Sequence, residues 1–166
     1  MQFKGLALVA SAIMLGACGG ESKPADTTPA ATPAPAATTP AVTATGTASP
    51  ITGKTIEVKM IGDAKGYRFE PATITAKVGD GIKFIVDGSM GPHNIAFDVT
   101  KIPAESKAQL DANFGTEKMG ELSSSLKMAP GESITLSLGG LTAGKYEFNC
   151  TPHLAMNMKG TLTITP

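Results

Sequence analysis

The chain has 166 residues, of which 42% are hydrophobic and 17% charged, with 19 glycines, 12 prolines and no tryptophan. This length provides for one small domain plus a proline-rich segment, which argues against a multidomain enzyme. Fourteen basic and fourteen acidic side chains cancel, so no field of one sign is available to attract nucleic acid. We therefore expect no nucleic-acid partner.

The N-terminus has the features of an export signal. A single charge, Lys4, precedes an apolar run from Leu6 to Leu15, which is too short to span a bilayer but long enough for a signal core. The run ends in Leu-Gly-Ala-Cys18, which resembles a bacterial lipoprotein cleavage box. We predict a signal peptide over residues 1–17, lipidation of Cys18, and an exported protein anchored to a membrane on its periplasmic or cell-surface side. The alternative is an ordinary secretory signal in which Cys18 is incidental.

Residues 18–50 form the next segment, called the tether below. From Lys23 to Pro50, 23 of 28 residues are Ala, Thr or Pro, and such a composition cannot bury a core. A flexible chain of this length spans roughly 30 Å on average, and an extended polyproline-like one reaches about 90 Å. The tether therefore allows the domain over residues 51–166 to sample space away from its membrane.

From Lys54 onward, apolar residues alternate with polar ones, the pattern of half-buried strands. The alternation is carried by Ile56, Val58 and Met60, by Ile82, Phe84 and Val86, by Ile134, Leu136 and Leu138, by Tyr146, Phe148 and Cys150, and by Leu162 and Ile164. About eight short strands separated by Gly or Pro predict an all-β fold, a two-sheet sandwich. One helix is predicted between Pro103 and Phe114, with Pro103 at its first position.

One short segment carries most of the chemistry. Between two predicted strands, the sequence Cys150-Thr-Pro-His153-Leu-Ala-Met156-Asn-Met158 places a thiol, an imidazole and thioethers on one loop. Thiolate, imidazole and a weak thioether suit copper in a trigonal site with a long axial bond. A second imidazole is needed, and His93 is the only other histidine of the chain.

These residues resemble the cupredoxins, small blue copper proteins of the plastocyanin and pseudoazurin type. The similarity also includes Phe69-Glu-Pro71, Val78-Gly-Asp80 and Ala129-Pro-Gly-Glu132. It implies a Greek-key sandwich and one type 1 copper ion, with His93, Cys150 and His153 as equatorial ligands and Met158 as axial ligand. Met158 is followed by one residue and Gly160, as in the family, whereas some shorter loops of the family would nominate Met156.

The resemblance also implies roles around the site. Asn94 resembles the residue that ties the two ligand segments together, and Pro152 cannot donate a hydrogen bond to the Cys150 sulfur. Proteins of this family are not enzymes; they carry single electrons between redox proteins of a transfer chain. Here we expect a monomer that docks transiently near His153.

Other functions remain open at this point. A periplasmic copper carrier or storage protein would use similar ligands. A cysteine hydrolase with Cys150 as nucleophile would need an oxyanion site and an orienting carboxylate, and no motif supplies either. A structural adhesion domain would not need the histidines at all.

Overall fold

The computed structural model describes residues 46–88 and 90–166. The predicted signal peptide, the predicted lipidation site Cys18 and most of the tether lie outside the described residues. Within the described part, no helix is long and apolar enough to cross a membrane.

The described residues form strands in two sheets with one α-helix. In chain order the strands are β1 (Thr55–Asp63), β2 (Gly66–Glu70), β3 (Thr73–Lys77), β4 (Gly81–Asp87), β5 (Ala96–Phe97), β6 (Lys118–Gly120), β7 (Ser123–Ser124), β8 (Ser133–Ser137), β9 (Gly144–Asn149) and β10 (Lys159–Thr165). One sheet has the order β2-β1-β4-β8 and the other β3-β10-β9-β5-β7-β6. The all-β sandwich predicted from the alternation is confirmed.

The number of strands differs from the prediction of about eight, because the structure describes ten. The five alternating segments correspond to β1, β4, β8, β9 and β10. Of the other strands, β5, β6 and β7 have only two or three residues each. Such short strands contain too few side chains to show a period of two. Their pairing depends on neighbouring strands rather than on a pattern of their own.

The core lies between the two sheets and includes a cluster of four phenylalanines. Phe69 and Phe84 come from the first sheet, and Phe97 and Phe148 from the second. The ring centroid of Phe148 lies 4.9 Å from that of Phe69, 5.5 Å from that of Phe84 and 6.0 Å from that of Phe97. Phe148 therefore packs against aromatic rings of both layers, two residues before Cys150.

The predicted helix is present as α1 (Ala104–Asn113), with Pro103 and Phe114 as its flanking cap residues. Pro103 lies just before the helix instead of at its first position, because its ψ of 130° is extended. The helix buries Leu110 and its C-cap Phe114 against the core. Burial of these two side chains holds it on the sandwich.

Candidate metal centre

Three of the four predicted ligands converge at one end of the sandwich. The Cys150 Sγ atom lies 3.3 Å from His153 Nδ1 and 3.7 Å from His93 Nδ1. The candidate ligand atoms of the three residues all lie within 4.8 Å of one another, and all three side chains are buried. One thiol and two imidazole nitrogens directed at a common point are a donor set that fits copper.

Two separate segments bring these ligands together. Cys150 directly follows β9, and His153 lies in a 3₁₀ segment over Thr151–Met156 that leads toward β10. His93 lies 57 residues before Cys150, between β4 of one sheet and β5 of the other. The His93 backbone exchanges two hydrogen bonds with Lys127, of 2.9 and 2.8 Å, which hold the His93 segment in place.

The burial of the site sets the protonation of its ligands. Burial, and to a lesser extent the His153 imidazole, lower the pKa of His93 from 6.5 to about 4. Burial also lowers the pKa of His153. Both imidazoles are therefore neutral at pH 7, the form that binds metal.

Burial raises the pKa of the Cys150 thiol, while backbone hydrogen bonds from Asn94 and His153 oppose that change. A buried, protonated thiol is poorly suited to be the nucleophile of a hydrolase.

The lowered pKa of His93 predicts acid sensitivity of the metal-free protein. Because the folded-state pKa of about 4 is below the ordinary value of 6.5, the unfolded state binds more protons between these values. The free energy of unfolding is thus unaffected by the titration of His93 above pH 6.5, and it decreases as the pH falls toward 4. The decrease amounts to about 3 kcal/mol. Urea unfolding of the metal-free protein at several pH values measures it, and His93→Gln should flatten the dependence; equal slopes in both proteins would contradict the prediction.

The two candidate axial methionines differ in their environment. Met158 is fully buried, whereas Met156 is 54% exposed. The Met158 backbone is tied to both loop ligands, since its N–H donates to the His153 carbonyl at 3.2 Å and its carbonyl accepts from the Cys150 N–H at 3.1 Å. The choice of Met158 over Met156 as axial ligand stays a prediction.

Asn94 connects the two ligand segments. Its side-chain oxygen accepts a hydrogen bond from the Thr151 backbone N–H at 2.8 Å. Its amide nitrogen donates to Ser123 Oγ at 3.2 Å and to Thr151 Oγ1 at 3.3 Å. Asn94 directly follows His93, and Thr151 directly follows Cys150. The hydrogen bonds of the buried Asn94 side chain to Thr151 therefore connect the two ligand segments. Pro152 is exposed on the outer side of the same loop.

A residue that the sequence reasoning missed, Tyr67, packs on a candidate ligand. Its ring is stacked on the His153 imidazole, with a centroid separation of 3.7 Å and an angle of 13° between the planes. Tyr67 belongs to β2, in the other sheet from Cys150. No motif or spacing in the sequence connects β2 with the ligand loop. The only sign that Tyr67 could contact the site was that it is an aromatic residue at the start of a strand.

The stack predicts that Tyr67 slows loss of the metal. Replacing Tyr67 with Ala should speed copper transfer to a chelator by up to about tenfold, because an aromatic pair contributes about 0.5–1.5 kcal/mol. Tyr67→Phe keeps the ring and should behave like the unmodified protein. Chelator competition followed by absorbance measures both rates, and a Tyr67→Phe rate equal to that of Tyr67→Ala would show that stacking is not the cause.

Comparison with known proteins agrees with this geometry. The family described as "Copper binding proteins, plastocyanin/azurin family" matches residues 56–165. Plastocyanin of Prochlorothrix hollandica is 34% identical over 117 residues, which are 70% of this chain and 78% of that protein. Plastocyanin of Dryopteris crassirhizoma is 36% identical over 105 residues, 63% of this chain and 95% of that protein.

Among solved structures, a mutant fern plastocyanin is 35% identical, covers 66% of this chain and all of its own, and has a TM-score of 0.50. The match of the family spans most of the region from β1 to β10. It includes the segments of all four predicted ligands. The chain belongs to the plastocyanin/azurin family of copper-binding proteins.

Proposed function

We propose that this chain is a membrane-tethered electron carrier in which His93, Cys150, His153 and Met158 hold a single copper ion. Members of the plastocyanin-like family carry electrons by means of copper and are not enzymes. The observation that carries the assignment of ligands is the convergence of Cys150 Sγ with the Nδ1 atoms of His93 and His153. Copper supplies a Cu(I)/Cu(II) couple, which accepts or gives up one electron at a time.

The chain itself keeps the ligands in place during such a change. Backbone hydrogen bonds from His153 to Cys150, from Cys150 to Met158 and from Met158 to His153, of 3.1 to 3.2 Å, tie the three loop ligands to one another. Asn94 connects this loop to the His93 segment. Because the ligands are buried and tied, little rearrangement is needed when the charge of the site changes.

An exposed apolar rim surrounds the metal end of the sandwich. Among the described residues of this rim, Met90 is 49% exposed, Leu154 44% and Met156 54%. Met128, next to the partner of His93, is 63% exposed. We take this rim as the docking surface for the redox partner, because a small apolar surface suits brief encounters. His153 lies in the same 3₁₀ segment as Leu154 and Met156, and we propose that electrons pass through its ring.

We propose a location for the protein from its N-terminal sequence. A lipid on Cys18 would anchor the domain to a membrane on its periplasmic or cell-surface side. This part of the proposal is supported by the sequence alone. Membrane fractionation before and after Cys18→Ser tests it, and an unchanged membrane fraction would overturn it.

The visible spectrum tests the electron-carrier function directly. The metal-free protein should become intensely blue when Cu(II) is added, bleach with ascorbate and recover its colour with an oxidant. A colourless copper complex, or one that does not bleach reversibly, would overturn the proposed function and favour a copper carrier. The same titration gives the number of copper ions bound to each chain.

Paired methionine variants test the axial ligand. Met158→Leu should change the absorption spectrum and raise the reduction potential, because a soft ligand is replaced by a group that cannot coordinate. Met156→Leu should leave both properties unchanged, since Met156 is exposed. Spectroelectrochemistry of the two variants measures the difference. The opposite pattern would assign the axial role to Met156.

A further inference from the structure

The last residues of the tether lie against helix α1. The Ser49 backbone N–H donates to Asn113 Oδ1 at 2.9 Å, and the Thr47 carbonyl accepts from Gln109 Nε2 at 3.2 Å. Gln109 and Asn113 both belong to α1. Residues before position 51 are therefore already hydrogen-bonded to the folded domain.

Asn113 uses every hydrogen-bonding position of its side chain here. Besides the bond from Ser49, its Oδ1 accepts from Gln109 Nε2 at 2.8 Å. Its Nδ2 donates to the carbonyls of Ser137 at 2.9 Å and Gly139 at 3.0 Å. An amide side chain has two acceptor positions and two donor hydrogens, so this 4% exposed side chain is fully satisfied. It joins the helix, the end of β8 and the tether at one point.

Two glycines provide the surface on which the tether lies. A Cβ atom on Gly139 would stand 2.8 Å from Ser49 Cβ and 2.9 Å from the Pro50 carbonyl oxygen. Gly140 has a φ of +72°, and a Cβ there would stand 3.1 Å from Ser49 Oγ. Any larger residue at Gly139 would displace the tether, since those contacts are too short for a side chain.

Helix α1 is itself fixed to the sandwich. The Ser106 hydroxyl lies 2.7 Å from the Tyr146 hydroxyl and accepts from the Thr142 N–H at 3.0 Å. Both Ser106 and Tyr146 are fully buried. The helix therefore gives the tether a rigid attachment rather than a second flexible segment.

This attachment is at the end of the sandwich away from the metal centre. Tyr146, beside α1, precedes Cys150 by four residues along β9, roughly 13 Å of strand. Ser137, bound to Asn113, pairs with Gly81 at the start of β4. The other end of β4, Asp87, leads into the His93 segment, and six residues of strand span roughly 20 Å. Both strands therefore place the contacts of the tether and the candidate ligands at opposite ends of the sandwich.

We propose that α1 is a tether clamp, formed by Gln109, Asn113 and Gly139, that holds residues 47–50 on the sandwich so that the tether leaves the domain at the end opposite the metal centre. The clamp follows from contacts of the described residues alone. It rests on the proposed function only in the statement that the metal end is the docking surface. The tether would then leave the domain away from the rim at which a partner docks.

Amide hydrogen exchange of the protein purified in detergent, measured by NMR, tests the clamp. The Ser49 N–H should exchange about tenfold or more slowly than in an unstructured peptide. Asn113→Ala removes the acceptor of the Ser49 N–H and should remove most of this protection. Gln109→Ala removes the bonds to the Thr47 carbonyl and to Asn113 Oδ1, and should reduce the protection while leaving the β4 amides unchanged. Lys107→Ala, on the same helix but without a hydrogen bond to the tether in the described structure, is the matched control and should change neither. Oxidation to paramagnetic Cu(II) should broaden resonances near residues 150–158 but spare residues 47–50.

Three outcomes would overturn the clamp. These are an unprotected Ser49 N–H, protection unchanged by both Gln109→Ala and Asn113→Ala, and Cu(II) broadening at residues 47–50. The exchange experiment gives the same answer with the metal-free protein. Failure of the clamp is thus distinguishable from failure of copper binding, which the visible spectrum reports.

Discussion

Replacing Cys150 by Ser is expected to abolish the intense visible absorption of the Cu(II) protein and to weaken Cu(I) binding at least about 100-fold. The size follows from a comparison: loss of groups that only orient metal ligands costs 10–100-fold, and Cys150 is proposed as a ligand itself. A hydroxyl is not deprotonated in this buried position and does not replace a soft thiolate. Absorption spectroscopy and competition with a Cu(I) chelator measure the two effects.

Cys18→Ser is the matched control, because it makes the same substitution at the only other cysteine of the chain. That variant should keep the full absorption. Thermal unfolding of metal-free Cys150→Ser shows whether the fold is retained. Blue colour in a folded Cys150→Ser protein would show that the thiol is not a copper ligand.

Phe148→Ala is expected to destabilise the domain by about 3–5 kcal/mol, the range for removing a fully buried aromatic side chain. Phe148 is 2% exposed and its ring contacts rings from both sheets, so the cavity would open between the layers. Because Phe148 precedes Cys150 by two residues, the metal-free site should also loosen. Urea unfolding measures the loss of stability.

Val78→Ala is the corresponding surface control. Val78 is 41% exposed, and its truncation should change the unfolding free energy by no more than about 0.5 kcal/mol. A loss of less than about 1 kcal/mol for Phe148→Ala would contradict the role of the phenylalanine cluster in joining the sheets.

Much of the fold was predictable because the longer strands bury one face. In β4, Ile82, Phe84 and Val86 are buried while Lys83 and Ile85 are only partly so, which is the pattern that the sequence displays. The convergence of the ligand segments was predictable from the family resemblance. It could not come from periodicity, since 57 residues separate His93 from Cys150.

The features that escaped prediction depend on contacts between distant segments. Tyr67 lies on His153 only because the two sheets pack face to face, and nothing near Tyr67 in the sequence signals this. Likewise, Asn113 and Gln109 are ordinary polar residues of a helix until the tether crosses them. The composition of residues 18–50 indicates a flexible segment, and side-chain hydrogen bonds to a few of its backbone groups leave no mark on composition.

The position of His93 on the crossover from β4 to β5 has a consequence for folding. A copper ion bound by His93 and Cys150 would act as a cross-link between the segment that changes sheets and the end of β9. Binding to the native state alone adds stability by mass action, and the chain enclosed between the two ligands is long. Loading with metal should therefore secure the closure of the sandwich at this end, in addition to equipping it for redox chemistry.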